Sequence, residues 1–297
     1  MSNKLRKMTL EKKHNLTGWA FLAPATFLIA VFSFWPMIKA LVLSFQTGKG
    51  RNMQMAGFTN YIRMFQDDVF IQSIKNTFFY FIIQVPIMLV VAMVLACILN
   101  KKDLRFKGFF RTMIFLPCTT SLVAYSIIFR SLFENDGLVN YVLVNLGILD
   151  KPYNFLTQPF AAKIVIILAL LWRWTGYNMV FFLSGLQNIE YSVYEAAKID
   201  GASAIQTFFK ITVPLLKPTI LLTAIMSTNG TLQLFDESIN LTDGGPANAS
   251  ISMSHYIYNL CFKYVPNFGY AAAMSFFILL LVAVLAFIQM RVGDKRD

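Results

Sequence analysis

The sequence is poor in charged residues and in cysteine. Asp, Glu, Lys and Arg make up 14% of its 297 residues, whereas a soluble domain carries about 25%, so the chain has too few charges to coat a soluble surface. The three cysteines, Cys97, Cys118 and Cys261, form no CxxC pair and no zinc-ligand spacing, which argues against redox chemistry and structural zinc. The phosphate-loop pattern GxxxxGK[ST] is missing too, so nothing in the sequence binds ATP in the P-loop manner.

Acidic residues and histidines suited to proton relay are also missing from the apolar segments. Asp236 and Glu237 fall at the outer end of one apolar run, and His14 and His255 lie outside such runs. An ion-coupled carrier is therefore the weaker transporter alternative. The formal net charge of +11 does not require nucleic acid as a partner, because the basic residues lie in short segments between apolar runs, where membrane orientation explains them.

What the chain does have is apolar residues, which make up 57% of it and lie in long runs. A bilayer core roughly 30 Å thick needs about 20 apolar residues per helix, and six stretches qualify, of which the fifth is the shortest. They predict an all-α polytopic membrane protein with six transmembrane helices. The six stretches are Trp19 to Phe45, Thr77 to Leu99, Phe109 to Phe133, Ala161 to Leu183, Thr219 to Phe235 and Tyr270 to Met290. The first is longer than the ~7–15 residues of a signal-peptide core and lacks a convincing cleavage site, so we expect it to be retained.

The charges between these spans predict the orientation. The termini and the loops after the second and fourth spans together hold about twice as many Lys and Arg as the opposite loops, and basic loops stay on the cytoplasmic side. Both termini are therefore predicted to be cytoplasmic, in a multi-pass protein of the bacterial cytoplasmic (inner) membrane.

Two basic residues lie within spans. We expect the stem of Lys39 to carry its ammonium group to the membrane interface beside Trp35. Arg173, between Trp172 and Trp174, lies nearer the middle of the fourth span, where insertion of a charge costs ~2.5–3.5 kcal/mol. It should face protein or a watery cavity.

The segment from Ile189 to Pro218, between the fourth and fifth spans, is too polar for the membrane. It has the sequence marks of two short helices. Ser192 followed three residues later by Glu195 is a capping-box pattern, which predicts a first helix over Val193–Ile199.

A glycine turn and a second helix follow. Gly201 can take the left-handed conformation that ends a helix, and Ser203 can cap the next one. Pro214 and Pro218 limit its far end. The pattern predicts a hairpin made of a helix, a glycine turn and a helix.

At this point the residues resemble a known family. EAAKIDGA at Glu195 to Ala202 and ITVPLL at Ile211 to Leu216 resemble the EAA loop of permease subunits of binding-protein-dependent ABC importers, in the carbohydrate branch that carries oligosaccharides and glycerol phosphate. The sequence departs from the family at Glu190, where Pro is usual, and at Asp243, where Gly is frequent. Further similar stretches are FLPCTTSLVAYSIIF at Phe115 to Phe129, DGLVN at Asp136 to Asn140, TLQLFDESINLTDGGP at Thr231 to Pro246 and NFGYAAAMS at Asn267 to Ser275.

The resemblance implies that the hairpin couples this chain to a separate ATP-hydrolysing subunit by inserting into a groove on it. Tyr194 would be an aromatic anchor, the alanines would allow close helix approach, and Glu195 would pair with a basic residue. The alternative is that Glu195 only completes its capping box, worth about 1 kcal/mol. The residues assigned to coupling are Tyr194, Glu195, Ala196, Ala197, Asp200 and Gly201.

Two helix faces are candidates for a sugar path. The fourth span presents Leu170, Trp174 and Tyr177 on one face, and the fifth presents Thr223, Ser227, Thr231 and Leu234. Aromatic rings and hydroxyl groups suit the apolar faces and hydroxyls of sugars, but ordinary packing between membrane helices explains the same residues equally well. Maltose-type permeases contact sugar with these parts of the two spans, and the resemblance therefore favours a site. The candidate residues are Trp174, Tyr177, Ser227, Thr231 and Leu234, with Arg173 as a neighbour.

The resemblance also implies an organisation and partners. The segments would be a cytoplasmic stretch over 1–17, a first helix over 18–47, a type I ABC importer permease core over 73–291 in the last five helices, and a cytoplasmic tail over 292–297. The chain would not be an enzyme and would hold no cofactor, since ATP and Mg²⁺ bind to two partner ATPases. A second homologous permease and an extracellular or periplasmic sugar-binding protein would complete the importer. The alternatives are an ion-coupled secondary carrier and a membrane-embedded transferase.

Overall fold

The computed structural model describes residues 10–49, 52–101 and 103–293. Residues 1–9 and 294–297, which belong to the two predicted cytoplasmic end segments, lie outside the described residues. The described helices are α1 (Leu10–Ile29), α2 (Trp35–Ser44), α3 (Thr59–Met64), α4 (Asp68–Asn100), α5 (Lys107–Thr119), α6 (Leu122–Phe133), α7 (Leu138–Asn145), α8 (Pro159–Gln187), α9 (Tyr191–Ile199), α10 (Ala204–Thr207), α11 (Val213–Leu215), α12 (Lys217–Leu232), α13 (Asp236–Thr242), α14 (Met253–Tyr258) and α15 (Phe268–Gly293). The strands are β1 (Gln46–Lys49) and β2 (Asn52–Met55), which pair antiparallel.

Four helices of the described chain are long and apolar enough to cross a membrane. They comprise Thr17–Ser44, which joins α1 to α2 through the π-helical turn Ala30–Phe34, and the helices α4, α8 and α15. They coincide with the first, second, fourth and sixth predicted spans. No residue in the most apolar part of the first is buried within the chain, whereas about half of the residues in that part of α8 are buried. The helix α8 is therefore the centre of the bundle.

The other two predicted spans belong to bent helix pairs, and the bend interrupts the third predicted span but precedes the fifth. The third is broken by 98° between α5 and α6, and a bend of 72° separates the run Ala204–Leu215 from α12. The prediction of one continuous helix over Phe109–Phe133 is therefore wrong. Pro117 cannot donate an amide hydrogen bond, and Thr120 and Ser121 are extended, so the helix ends and restarts there. The chain has six spans only if each bent pair counts as one.

Close packing of α8 on α4 and α5 forms the core. Gly176 on α8 lies so near α5 that a Cβ atom added to it would stand 1.9 Å from the carbonyl oxygen of Ile114. Small residues permit such close approach between membrane helices, where packing replaces the hydrophobic effect as the main attraction. The glycine thereby allows the backbones of α8 and α5 to touch.

Polar contacts fasten the end of the bundle opposite the hairpin. Asn60 Nδ2 donates to the carbonyl oxygens of Ser44 (2.9 Å) and Gln46 (2.8 Å), which holds the end of the first span. Asp67 caps α4 and also accepts from the hydroxyls of Tyr256 (2.7 Å) and Tyr270 (2.8 Å). Burial raises the pKa of Asp67, but these hydroxyl donors and two backbone amides outweigh burial and lower it.

Candidate functional site

A cavity of about 310 Å³ lies between α8 and α12. Five of the six residues proposed from the sequence to contact sugar line it together, and the sixth, Arg173, does not. Leu170 also lines the cavity. Thr223 does not line it. This residue is buried, and its hydroxyl donates to the carbonyl oxygen of Thr219 at 2.8 Å within its own helix. The five are Trp174, Tyr177, Ser227, Thr231 and Leu234.

The polar wall of the cavity is a set of hydrogen-bonded side chains. Thr231 Oγ1 donates to Gln84 Oε1 at 2.9 Å, and Ser227 Oγ donates to Asn178 Oδ1 at 3.3 Å. Asn178 Nδ2 donates in turn to the carbonyl oxygen of Trp174 at 3.0 Å. Because these bonds fix the hydroxyl and amide groups in place, the wall is preorganised for a ligand with many hydroxyls.

Aromatic rings also line the cavity. The rings of Trp174 and Tyr177 meet edge to face with centroids 5.8 Å apart, and Tyr177 meets Phe181 in the same way at 5.1 Å. Leu234 and Phe235 add apolar surface from the segment after α12. The lining thus combines apolar with polar groups, which suits the apolar faces and the hydroxyl groups of a pyranose ring.

Several cavity residues were missed by the sequence reasoning. Gln84 lies in α4, which is among the most apolar of the candidate spans, and a buried amide in such a helix was the available signal. Asn178 lies one position beyond Tyr177 on the stripe. The chain folds back after α12 and brings three further polar lining residues to the cavity, namely Gln233, Asp236 and Glu237.

Arg173 does not line the cavity; its guanidinium contacts the break in the third span and lies against the ring of Trp174, 5.3 Å from its centroid. Its Nη1 donates to the carbonyl oxygen of Thr120 at 2.9 Å, and Nη2 donates to that of Cys118 at 3.4 Å. The guanidinium also lies over the ring of Tyr125, 4.7 Å from its centroid. Arg173 is buried, as the sequence predicted, and it supplies donors to the carbonyl groups at the end of α5, which have no helical partner.

Glu237 lines the cavity and also contacts α6, the helix that follows the break in the third span. Its side chain is 4% exposed and accepts a hydrogen bond from the hydroxyl of Tyr125 on α6. Tyr125 lies between Glu237 and Arg173, so helices α6, α8 and α13 meet at these three residues.

The segment between α8 and α12 forms the predicted hairpin. Its glycine turn is present, since Gly201 has a φ of +75°, a conformation that other residues adopt only with strain. Ser203 caps the second helix in a capping box with Gln206, as predicted for Ser203.

The predicted capping box at Ser192 and Glu195 is wrong. The helix α9 begins at Tyr191, with Glu190 as its N-cap and without a side-chain cap. Ser192 is thus already inside the first turn, and its hydroxyl donates to Glu190 Oε2 at 3.3 Å. Glu195 therefore has no capping role, and the alternative that this carboxylate serves only to complete a capping box is wrong.

The hairpin has an inner and an outer face. Tyr194 and Ala197 face inward; the Tyr194 hydroxyl lies 3.4 Å from Thr212 Oγ1, and Ala197 is buried. Four of the residues assigned to coupling, Glu195, Ala196, Asp200 and Gly201, are exposed. Ile199 and Ile205, which the sequence reasoning passed over, are 85% and 72% exposed on the same hairpin.

Asp243, where the sequence departs from the family pattern, follows α13 directly and forms an ion pair there. It adopts a φ of +48° and accepts from Lys263 Nζ at 2.9 Å, a contact that raises the pKa of Lys263. It also lies 3.6 Å from His255 Nε2. Burial lowers the pKa of His255 to about 4 although Asp243 acts in the opposite direction, so this histidine is neutral at pH 7. Within the described residues no group of three or more His, Cys, Asp or Glu side chains is placed to hold a metal ion.

Comparison with known proteins agrees with this geometry. The family model described as "binding-protein-dependent transport system inner membrane component" matches residues 68–296. The chain belongs to this family. It is a multi-pass membrane permease subunit and not an enzyme.

Two relatives and one solved structure are similar to this permease over nearly their whole lengths. It is 51% identical to the lactose transport system permease protein LacF of Rhizobium radiobacter, with 98% of each chain covered. It is 34% identical to the multiple sugar-binding transport system permease protein MsmF of Streptococcus mutans, with 97% of this chain and 99% of that one covered. A chain of a bacterial ABC transporter involved in the import of the acidic polysaccharide alginate superposes with a TM-score of 0.85 at 24% identity, covering 97% of this permease and 98% of that chain.

That superposition confirms the predicted type I ABC importer fold. The family name also states the dependence on a binding protein. This permease therefore works with a binding protein and with the ATPase of an ABC importer, in the inner membrane.

Proposed function

We propose that this permease carries sugar for an ATP-driven importer and that the sugar occupies the cavity between α8 and α12. The cavity carries this proposal, because it brings two aromatic rings together with fixed amide and hydroxyl groups in about 310 Å³. That volume lies within the range of about 300–1,000 Å³ of ligand pockets. The names of the relatives, which refer to lactose and to multiple sugars, support sugar as the substrate class.

The residues proposed to contact the sugar have distinct roles. Trp174 and Tyr177 provide stacking surface, and Leu234 closes the apolar side. Ser227 and Thr231 bond to hydroxyls of the sugar through the lone pairs that their present partners leave free. Arg173 holds the break in the third span and so positions the wall rather than touching the ligand.

Coupling is assigned to the outer face of the hairpin. Glu195, Ala196, Asp200 and Gly201 are exposed, and Ile199 and Ile205 add apolar surface to the same region. An exposed apolar patch of this kind favours a protein partner, here the ATPase. Tyr194 and Ala197 contribute differently from the sequence expectation, since they face inward and Tyr194 contacts Thr212 in the second half of the hairpin, so that they hold its two halves together.

The working importer in this proposal contains a second homologous permease, two ATPases that bind ATP and Mg²⁺, and an extracellular or periplasmic sugar-binding protein. Both termini and the hairpin lie on the cytoplasmic side, where the basic loops are. Closure of the ATPases on ATP would draw the hairpins together and open the cavity outward, and hydrolysis would return it inward.

Transport into membrane vesicles tests the proposal. Complexes purified through this permease are reconstituted with the binding protein and with [14C]lactose, and ATP is supplied on the hairpin side. We expect uptake that requires ATP and persists when ion gradients are dissipated. Uptake driven by an ion gradient without ATP would establish a secondary carrier instead, and a purified complex without ATPase subunits would contradict the assembly.

A further inference from the structure

The cavity between α8 and α12 contains carboxylates but no basic side chain. Among its lining residues, in the part of the chain that the structure describes, the charged ones are Asp236 and Glu237. Neither takes part in an ion pair within 4.0 Å in that part of the chain. The remaining polar groups of the wall are neutral amides and hydroxyls. Burial raises the pKa of Glu237, so the fixed negative charge facing the cavity is mainly that of Asp236.

Arg173, the nearest buried cation, does not supply the missing positive charge. Its guanidinium is engaged with the carbonyl oxygens of Thr120 and Cys118 and with the ring of Tyr125, and it does not line the cavity. Turning it toward a ligand would leave buried carbonyl groups at the end of α5 without donors, which is unfavourable.

We propose that this cavity selects uncharged saccharides and rejects those that carry a carboxylate, sulfonate or phosphate group. The inference rests on the proposed function and specifies its substrate class. An anion entering the cavity would lose water beside the carboxylate of Asp236 and the buried Glu237 without gaining a cation in exchange. A neutral sugar loses no charge solvation, and its hydroxyls find the amides of Gln84, Asn178 and Gln233.

The fold itself does not impose this selection. The alginate importer has the same fold and takes an acidic polysaccharide, so the sign of the charge accepted depends on the residues that line the path. Asp236 and Glu237 also lie in the first turn of α13, where acidic residues favour a helix. A purely structural role of that kind predicts no preference between neutral and acidic sugars, and the two explanations can be separated.

The test is equilibrium dialysis of the purified complex, without the binding protein, so that only the permease path is probed. The two probes are lactose and the same disaccharide with its galactose C6 oxidised to a carboxylate, which differ by one charge at nearly the same shape. Because like charges brought together are strongly unfavourable, we expect the neutral probe to bind roughly 30-fold more tightly.

Three variants locate the source of the selection. The double variant Asp236→Asn with Glu237→Gln keeps the size of both side chains and an acceptor for Tyr125. We expect the ratio of the two affinities, neutral probe over acidic probe, to fall by about tenfold. Gln233→Arg adds a cation at a cavity residue and should shift the ratio further toward the acidic probe. Asp136→Asn removes an exposed carboxylate outside the cavity and should leave the ratio unchanged, as the matched control.

The outcomes distinguish this inference from the proposed function. Equal binding of both probes, or an unchanged ratio in the variants, overturns charge selection while the sugar site stands. Absence of binding by either probe in a complex that still imports lactose would place the sugar elsewhere and overturn both. If the double variant does not assemble, Asp236→Asn alone and Gln233→Arg decide the question.

Discussion

The cavity and the hairpin differ in how their residues are held. In the cavity, Thr231 and Ser227 are bonded to side chains of other helices, Gln84 and Asn178. The coupling residues of the hairpin are mostly exposed, and the structure fixes the hairpin through its turn, its cap and its inner face. The difference indicates that this chain alone holds the cavity residues in place, whereas the exposed residues of the hairpin are free to contact a partner.

The largest expected effect comes from removing Arg173, on which the shape of the cavity wall depends. Arg173→Met keeps much of the apolar stem but deprives the carbonyl groups at the end of α5 of their donors, and each unsatisfied buried group costs about 1–3 kcal/mol. We expect most of the subunit to be lost from the membrane, measured by immunoblotting, and the residual complex to unfold at a lower temperature.

Lys39→Met is the control for this change. It removes a span-embedded cation that is exposed and lies over the ring of Trp35. The amount of this variant should stay near that of the wild type. If the Arg173→Met subunit is present in the membrane in a normal amount and only its sugar binding is impaired, Arg173 would be assigned to the ligand site.

The second effect separates the hairpin from the cavity. Glu195→Lys reverses an exposed charge that has no capping role, and Gly201→Trp puts a bulky residue at a left-handed position. Because placing like charges against each other at an interface costs several kcal/mol, uptake should fall roughly 100-fold while sugar binding to the detergent-purified permease persists.

Asp136→Lys, a charge reversal at an exposed residue far from the hairpin in sequence, is the matched control and should transport normally. Glu195→Gln is a second variant, which removes the charge at nearly the same size. Because Glu195 completes no capping box, a loss of uptake in this variant cannot come from a lost helix cap. Wild-type uptake in both Glu195 variants would mean that the carboxylate does not meet the ATPase.

The third effect concerns the aromatic edge of the cavity. Trp174→Ala and Tyr177→Ala each remove stacking surface, and truncation of such an anchor weakens binding by about tenfold. The dissociation constant of lactose, measured by dialysis, should rise by that factor while the complex still assembles. Trp172→Ala serves as the control, because Trp172 is on the same helix but lies outside the cavity and packs on Tyr125. Equal losses in the Trp172 and Trp174 variants would assign the effect to packing.

The two regions were also unequally accessible to sequence reasoning. Local signals predicted the hairpin well, since Gly201 and Ser203 act within a few residues of themselves. The capping box at Ser192 failed because helix α9 starts two residues earlier than the pattern implied. The helical faces of Trp174 and Ser227 followed from periodicity. Gln84 comes instead from the distant helix α4, and Glu237 reaches the cavity because the helix breaks after α12 and the chain folds back. Hydropathy averages over such breaks and therefore cannot locate them.

The smallest effect distinguishes a hydroxyl that serves the ligand from one that serves only its own helix. Thr231→Val removes the donor to Gln84 at nearly constant shape, and a neutral hydrogen bond contributes about 0.5–1.5 kcal/mol, so the dissociation constant of lactose should rise roughly 2- to 10-fold. Thr223→Val is the counterpart on the same helix, because the Thr223 hydroxyl bonds within α12 and away from the cavity. Its dissociation constant should match the wild type, and a parallel loss in both variants would show that hydroxyls of α12 act through helix packing rather than through the sugar.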